Sequence, residues 1–193
     1  VEQQQYQPEE LFDLNIAFID NLDSFSHNII HALQTLGCNV EIFDGRGEIV
    51  DFNHDAIVIG PGPGRPGISP LSMHAASLDM PVLGICLGHQ AIGLARGMEL
   101  IESPLGPVHG VPSTIVADGN GLLSKGKHVM TRYNSLVLSG DGNISVTAND
   151  ETGTLPMEIR DGNTYGLQFH PESIGSSGGM EVLSEFLRRV AHC

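Results

Sequence analysis

Residues 81–97 read Pro81-Val82-Leu83-Gly84-Ile85-Cys86-Leu87-Gly88-His89-Gln90-Ala91-Ile92-Gly93-Leu94-Ala95-Arg96-Gly97. The apolar run from Pro81 to Ile85 has the character of a buried strand, and His89 to Arg96 that of a helix ended by Gly97. Between them, Gly84-x-Cys86-x-Gly88 is a cysteine version of the nucleophile elbow, a tight strand-to-helix turn that presents one side chain at a helix N-terminus. The glycines two before and two after the cysteine permit the close backbone approach that this turn demands. The partial positive charge of a helix start favours a thiolate at that place. The plainer alternative is a small buried cysteine behind a core strand, since free cysteine packs as a hydrophobe.

Working outward, the same strand–helix alternation recurs. Asn15 to Asp20 is a strand; Ser24 then stands before a segment in which Phe25, Ile29, Ala32, Leu33 and Leu36 recur at helical spacing until Gly37. Asn39 to Phe43 and Ala56 to Ile59 are further strands, and Pro70 to Leu78 is a helix. Beyond Met98 the texture changes. Ser113 to Ala117, Ile144 to Ala148, Met157 to Arg160 and Tyr165 to Phe169 are short runs between Gly, Asn and Asp turns, which predicts antiparallel strands and hairpins. Gly179 to Val190 is a closing helix with Arg188 and Arg189 near its C-terminal dipole. The expected architecture is a three-layer α/β fold: a mixed, mostly parallel central sheet with helices on both faces, and a small antiparallel sheet. Residues 1–14, polar and Gln-rich, are expected to be a tail or linker, with the functional domain spanning 15–193.

Ligands of such sheets bind at the carboxyl ends of the strands, so the residues after Ile59, Ile85 and Phe169 are the ones to inspect. After Ile85 comes the elbow. After Phe169 comes His170-Pro171-Glu172, where an extended trace puts His170 and Glu172 on one face, so that the carboxylate can orient the imidazole. After Ile59 comes Gly60-Pro61-Gly62-Pro63-Gly64, a stiff loop exposing a few N–H donors that can stabilise an oxyanion beside the N–H of Leu87. A phosphate cradle is the rival reading of that loop, but no lysine and Ser/Thr pair follows it. A thiol, a base held by a carboxylate and an oxyanion pocket are the parts of nucleophilic acyl transfer.

With these motifs the chain resembles the class I (triad) glutamine amidotransferases. More narrowly, Asp20-Asn21-Leu22-Asp23-Ser24-Phe25, Gly60 to Gly64, Arg132-Tyr133-Asn134-Ser135-Leu136 and Gln168 to Ile174 are similar to the glutaminase subunits of chorismate-using synthases, anthranilate synthase first and aminodeoxychorismate or aminodeoxyisochorismate synthase second. The resemblance implies that Cys86 is the nucleophile, His170 the base and Glu172 its orienting carboxylate. It implies that Gly62 and Leu87 supply oxyanion N–H groups, and that Gln90, Ser135 and Leu136 hold the ends of glutamine. It further implies a synthase partner, as a separate subunit or a fused domain, to receive ammonia. No cofactor or metal is expected in this chain, and Mg2+ is expected in the partner. Two positions depart from the family pattern: Asn134 stands where histidine is common, and Val111 follows His109-Gly110 where lysine is common. Neither is a triad position; both bear on the partner interface and on coupling.

Composition narrows the alternatives. Nine Lys+Arg against 23 Asp+Glu give a formal charge of −14, which argues against a nucleic-acid or anionic-membrane surface. Three widely spaced cysteines make neither a disulfide framework nor a zinc site, and a cytoplasmic setting is expected. A secreted γ-glutamyl hydrolase is disfavoured for the same reason. His27 and His31 have chelating spacing on a helix but no third ligand nearby, and a solvated or partner-facing helix is the better reading. A redox-responsive or chaperone-like cysteine-elbow protein would lack the His-x-Glu pair and Gln90, and a pseudoenzyme would lack a member of the triad.

Overall fold

Alternation along the first strand sends Ile16 and Phe18 to one side and Ala17 and Ile19 to the other, all four fully buried. A strand with two apolar faces needs cover on both. The computed structural model, which describes residues 10–193, supplies it. In chain order the elements are β1 (Asn15–Asp20), α1 (Ser26–Thr35), β2 (Asn39–Asp44), β3 (Ala56–Ile59), α2 (Pro70–Ala75), β4 (Val82–Ile85), α3 (Leu87–Ala95), β5 (Glu99–Glu102), β6 (Val111–Ala117), β7 (Gly126–Arg132), β8 (Leu136–Ser139), β9 (Ser145–Asp150), β10 (Pro156–Asp161), β11 (Thr164–Leu167) and α4 (Gly179–Ala191). A single 3-10 turn spans Pro66–Ile68.

One sheet of nine strands runs in the order β2-β1-β3-β4-β11-β10-β9-β6-β7, and β5 pairs with β8 in a separate two-stranded antiparallel sheet. The pairs from β2 through β11 are parallel, and those beyond β11 are antiparallel. Ile29, Leu33 and Leu36 of the α1 segment and Leu183, Phe186 and Leu187 of α4 pack with Ile16, Phe18, Val58 and Leu83 on one face. Leu71 and Ala75 of α2 and Ala91 and Ile92 of α3 pack with Ala17, Ile19, Ile57 and Ile59 on the other. These are three layers. Each such fully buried aliphatic or aromatic side chain contributes about 1.5–3 kcal/mol relative to exposure.

The early elements lie where the apolar pattern puts them. The later half differs in three respects. Most of its strands extend the main sheet, leaving only β5 and β8 for the small one. β5, β7 and β8 lack a legible pattern: β7 (Gly-Lys-His-Val-Met-Thr-Arg) is an edge strand with Lys127 and Val129 exposed and only its last three residues buried. Finally, β11 ends at Leu167 and not at Phe169, because the chain leaves β4 there and His170 pairs instead with Thr131 of β7. Of the expected tail, residues 1–9 lie outside the described residues. Phe12 is buried and its N–H donates to the Leu36 carbonyl at 2.8 Å, so packing begins there.

His89, on the second residue pair of α3, is wholly buried beneath β11, where a side chain at Gly166 would stand 3.0 Å from its Nδ1. Burial lowers its pKa to about 4, against the upward pull of the Gly166 and Pro156 backbone. In the unfolded chain the imidazole takes up a proton near its usual 6.5, whereas the folded one does not until about 4. The unfolded state therefore binds more protons in that window, and stability present above pH 6.5 is lost as pH falls toward 4, by up to about 3 kcal/mol. Urea unfolding across this range should show that slope in the wild-type chain and a shallower one in His89→Gln.

Candidate active site

β4 and β11 are adjacent and parallel with Ile85 opposite Leu167, and the Cys86 N–H donates to the Leu167 carbonyl at 2.8 Å. That register places the elbow and the residues after β11 at one edge of the sheet. Cys86 is the N-cap of α3 with φ 53° and ψ −99°; among the described residues only it and Leu22 have positive φ without being glycine. Such a conformation costs on the order of 1–3 kcal/mol and persists only where the surroundings enforce it. They do: a Cβ on Gly84 would fall 2.4 Å from the Gly88 carbonyl, and one on Gly88 2.3 Å from the Ile59 oxygen. The helix begins at Leu87, two residues before the expected His89, because the turn itself occupies the cysteine.

His170 Nδ1 lies 2.7 Å from Glu172 Oε1, and both side chains are 1% exposed. Burial opposes charge on the imidazole, but the Cys86 side chain and the Glu172 carboxylate together outweigh it and raise His170 to about 10. Nε2 has no closed hydrogen bond and is the nitrogen left for the thiol and for a substrate proton. The His170 backbone is clamped on both sides: its N–H donates to Thr131 O at 2.9 Å, and Ser176 Oγ donates to its carbonyl at 2.6 Å. Phe25 and Tyr133 meet its ring edge-on at 5.6 and 5.0 Å between centroids. An imidazolium fixed between a thiol and a carboxylate is the setting in which cysteine acts as a nucleophile.

The loop after β3 joins this edge. A Cβ on Gly62 would lie 3.2 Å from Leu87 Cδ1, and no backbone–backbone hydrogen bond engages the N–H of Gly62 or of Leu87 among the described residues. Two free donors beside a nucleophile can stabilise an oxyanion. Gln90 is buried with its amide donating to the Leu136 carbonyl and to Gln168 Oε1, each at 3.2 Å. Ser135 is exposed next to them, and its carbonyl accepts from the Ser103 N–H. The structure thus brings Cys86, His170, Glu172, Gly62, Leu87, Gln90, Ser135 and Leu136 to one place.

Gln168 opens the motif of residues 168–174 but has no site role in the sequence reading; it is fully buried, and its Nε2 lies 3.8 Å from Cys86 Sγ while its Oε1 receives Gln90. The signal was present: in an extended chain Gln168 lies on the face of His170. Of the two departures, Asn134 is 3% exposed, accepting from Arg132 Nε and donating to the Leu136 carbonyl, so it braces the glutamine-side loop from within. Val111 is 54% exposed at the start of β6 and is the one that presents a side chain at the surface. His27 and His31 are both exposed on α1. Burial and the nearby Asp55 push the Cys38 thiol up to about 12, which leaves it unreactive.

Fold and site together define a Cys–His–carboxylate nucleophile site at the carboxyl edge of the parallel part of a mixed α/β sheet. The family profile Glutamine amidotransferase class-I matches residues 17–190, and the chain belongs to that family. The bifunctional protein TrpGD of Thermotoga maritima is 37% identical over 187 residues, covering 89% of this chain and 32% of that protein. Anthranilate synthase component 2 of Cyanophora paradoxa is 36% identical over 89% of this chain and 97% of that protein. The chain therefore spans about a third of the first relative and nearly all of the second. Among solved structures, a glutamine amidotransferase from Thermotoga maritima superposes with a TM-score of 0.66 at 15% identity, covering 93% of this chain and 83% of that one. PurLQS from the same organism superposes at 0.71 and 16% identity, with 93% and 100% covered. At those identities the structural likeness concerns the fold. No helix among the described residues is long and apolar enough to cross a membrane.

Proposed function

We propose that this chain is the glutaminase component of a chorismate-using synthase, with anthranilate synthase as the assembly it serves. The observation that carries the reading is the Cys86–His170–Glu172 alignment at the carboxyl edge of the sheet, in a chain 36% identical to an anthranilate synthase component 2 over nearly its whole length. In this reading Cys86 Sγ attacks the side-chain amide carbon of glutamine, and the oxyanion is held by the N–H groups of Gly62 and Leu87. His170, protonated at Nε2, gives its proton to the departing amine, so ammonia leaves and a γ-glutamyl thioester remains. The now neutral imidazole takes a proton from water, whose oxygen attacks the thioester and releases glutamate. Glu172 keeps Nδ1 occupied throughout, which fixes the tautomer. Ammonia passes to the synthase, as a subunit or a fused domain, away from bulk water that would protonate it.

The test mixes the chain with the synthase partner, glutamine and chorismate, and follows glutamate and the aromatic amine. Glutamate release is expected to rise when partner and chorismate are added, with anthranilate formed in step. Aminodeoxychorismate as the product would move the assignment to the sister synthase, and no amination of chorismate would overturn it.

A further inference from the structure

At the end of β1, Asn21 is 4% exposed and lies wholly inside the protein. Its Nδ2 donates to the Gly60 carbonyl at 2.9 Å, across 39 residues of chain. Its Oδ1 accepts from Ser69 Oγ at 2.6 Å and Ser72 Oγ at 3.0 Å, on the turn that opens α2. Ser69 Oγ also lies 2.8 Å from the Gly45 carbonyl, just beyond β2, and 2.7 Å from Ser72 Oγ, so its single proton serves one of these acceptors at a time. A buried amide needs hydrogen-bond partners, and here Nδ2 and Oδ1 both find them on groups that tie three strand ends together. The same residue presses on the oxyanion loop: a Cβ at Gly62 would fall 2.5 Å from Asn21 Cβ and 2.8 Å from its carbonyl oxygen. The space beside Gly62 where a side chain would stand is therefore taken by Asn21 and Leu87 together.

We infer that Asn21, through its bond to Gly60 and its contact with Gly62, is a positioning residue that sets the oxyanion-binding loop of residues 60–64 against the elbow. The inference rests on the thioester reading of this site. Asn21→Asp keeps the shape and the Oδ1 acceptor but replaces the donor facing the Gly60 carbonyl with an oxygen, so the loop must turn or move away. Oxyanion donors act on the tetrahedral state and not on the bound amide, so their misplacement lowers kcat and spares KM. The expected result for glutamate release by the full chain is a fall in kcat of about 10²-fold with KM changed by no more than about twofold. Alkylation of Cys86 by iodoacetamide forms no oxyanion at a carbonyl, and its rate should stay that of wild type.

An unchanged kcat in Asn21→Asp overturns the inference, and so does a parallel loss of alkylation, which would mean that the elbow itself is disturbed. Should that variant fail to fold, Ser69→Ala/Ser72→Ala strips Oδ1 of its donors and leaves Asn21 in place. The same split between kcat and alkylation is expected there, and wild-type kcat overturns the assignment. A Cys86→Ala control separates the two levels. Glutamate release surviving that control overturns the thioester reading and the role of Asn21 with it, whereas release abolished by it but untouched by Asn21→Asp overturns the role of Asn21 alone.

Discussion

Cys86→Ala is expected to abolish glutamine-dependent amination by the proposed synthase assembly, with a loss on the order of 10⁴-fold or more, while amination driven by added ammonia continues near the wild-type rate. The thiol is needed only to free ammonia, so a partner supplied with ammonia has no use for it. The substitution is a clean one. Alanine keeps the Cβ and sits in a turn already enforced by Gly84, Gly88 and the Leu167 carbonyl, so the elbow stays folded. Neither other cysteine can substitute: Cys38 is buried behind a raised pKa, and Cys193 lies exposed at the C-terminus. Product formation measured with glutamine and with ammonium salt gives both arms. A Cys86→Ala chain that still drew on glutamine at the wild-type rate would refute the thioester mechanism.

His170→Asn is expected to lower glutamate release by about 10³–10⁴-fold, and Glu172→Gln by clearly less. In the proposed mechanism the imidazole moves protons in both halves of the reaction: it gives one to the leaving amine and takes one from water. Asparagine can do neither near neutral pH. The carboxylate moves no proton; it occupies Nδ1 at 2.7 Å and helps hold the ring charged. Its loss leaves the His170 backbone still held by the Thr131 and Ser176 bonds and the ring flanked by Phe25 and Tyr133. The two effects also differ in pH dependence. His170 is raised to about 10, so its charged form, and the proton it gives, are present below that pH and lost above it. Removing a carboxylate that supports the charge lowers the pH at which activity declines on the alkaline side. Steady-state kinetics of both variants from neutral to alkaline pH distinguish the roles, and equal losses with unshifted profiles would contradict them.

What could be read from residues alone is local. The elbow announces itself because glycine is demanded at fixed offsets from a strained cysteine. β1, β3 and β4 announce themselves because central strands of a parallel sheet are apolar on both faces. α4 does so because Val182, Leu183, Phe186, Leu187 and Val190 repeat at helical spacing toward one buried face. His-x-Glu is legible because two residues apart on an extended chain share a side. The resemblance to class I amidotransferases rests on the same short motifs. By contrast β5, β7 and β8 carry no such mark, since edge strands and small sheets leave polar and apolar positions mixed.

Tertiary structure alone decided which distant pieces meet. The parallel pairing of β11 beside β4 brings Gln168 and, just beyond it, His170 to Cys86 across more than eighty residues of chain. The pairing of His170 with Thr131 of an edge strand turns the chain out of the sheet at the catalytic step. Asn21, Gln168 and the inward-facing Asn134 lie in motifs legible in the sequence, but their pairings are not legible there. They acquire their meaning because burial makes every unmet donor or acceptor costly, and the partners that meet theirs include segments set alongside by the sheet order. Sequence determined the chemistry available at each strand end, because side-chain type and backbone strain are properties of a few consecutive residues. Structure determined which strand ends are neighbours, because that follows from the packing of both apolar faces of one sheet at once.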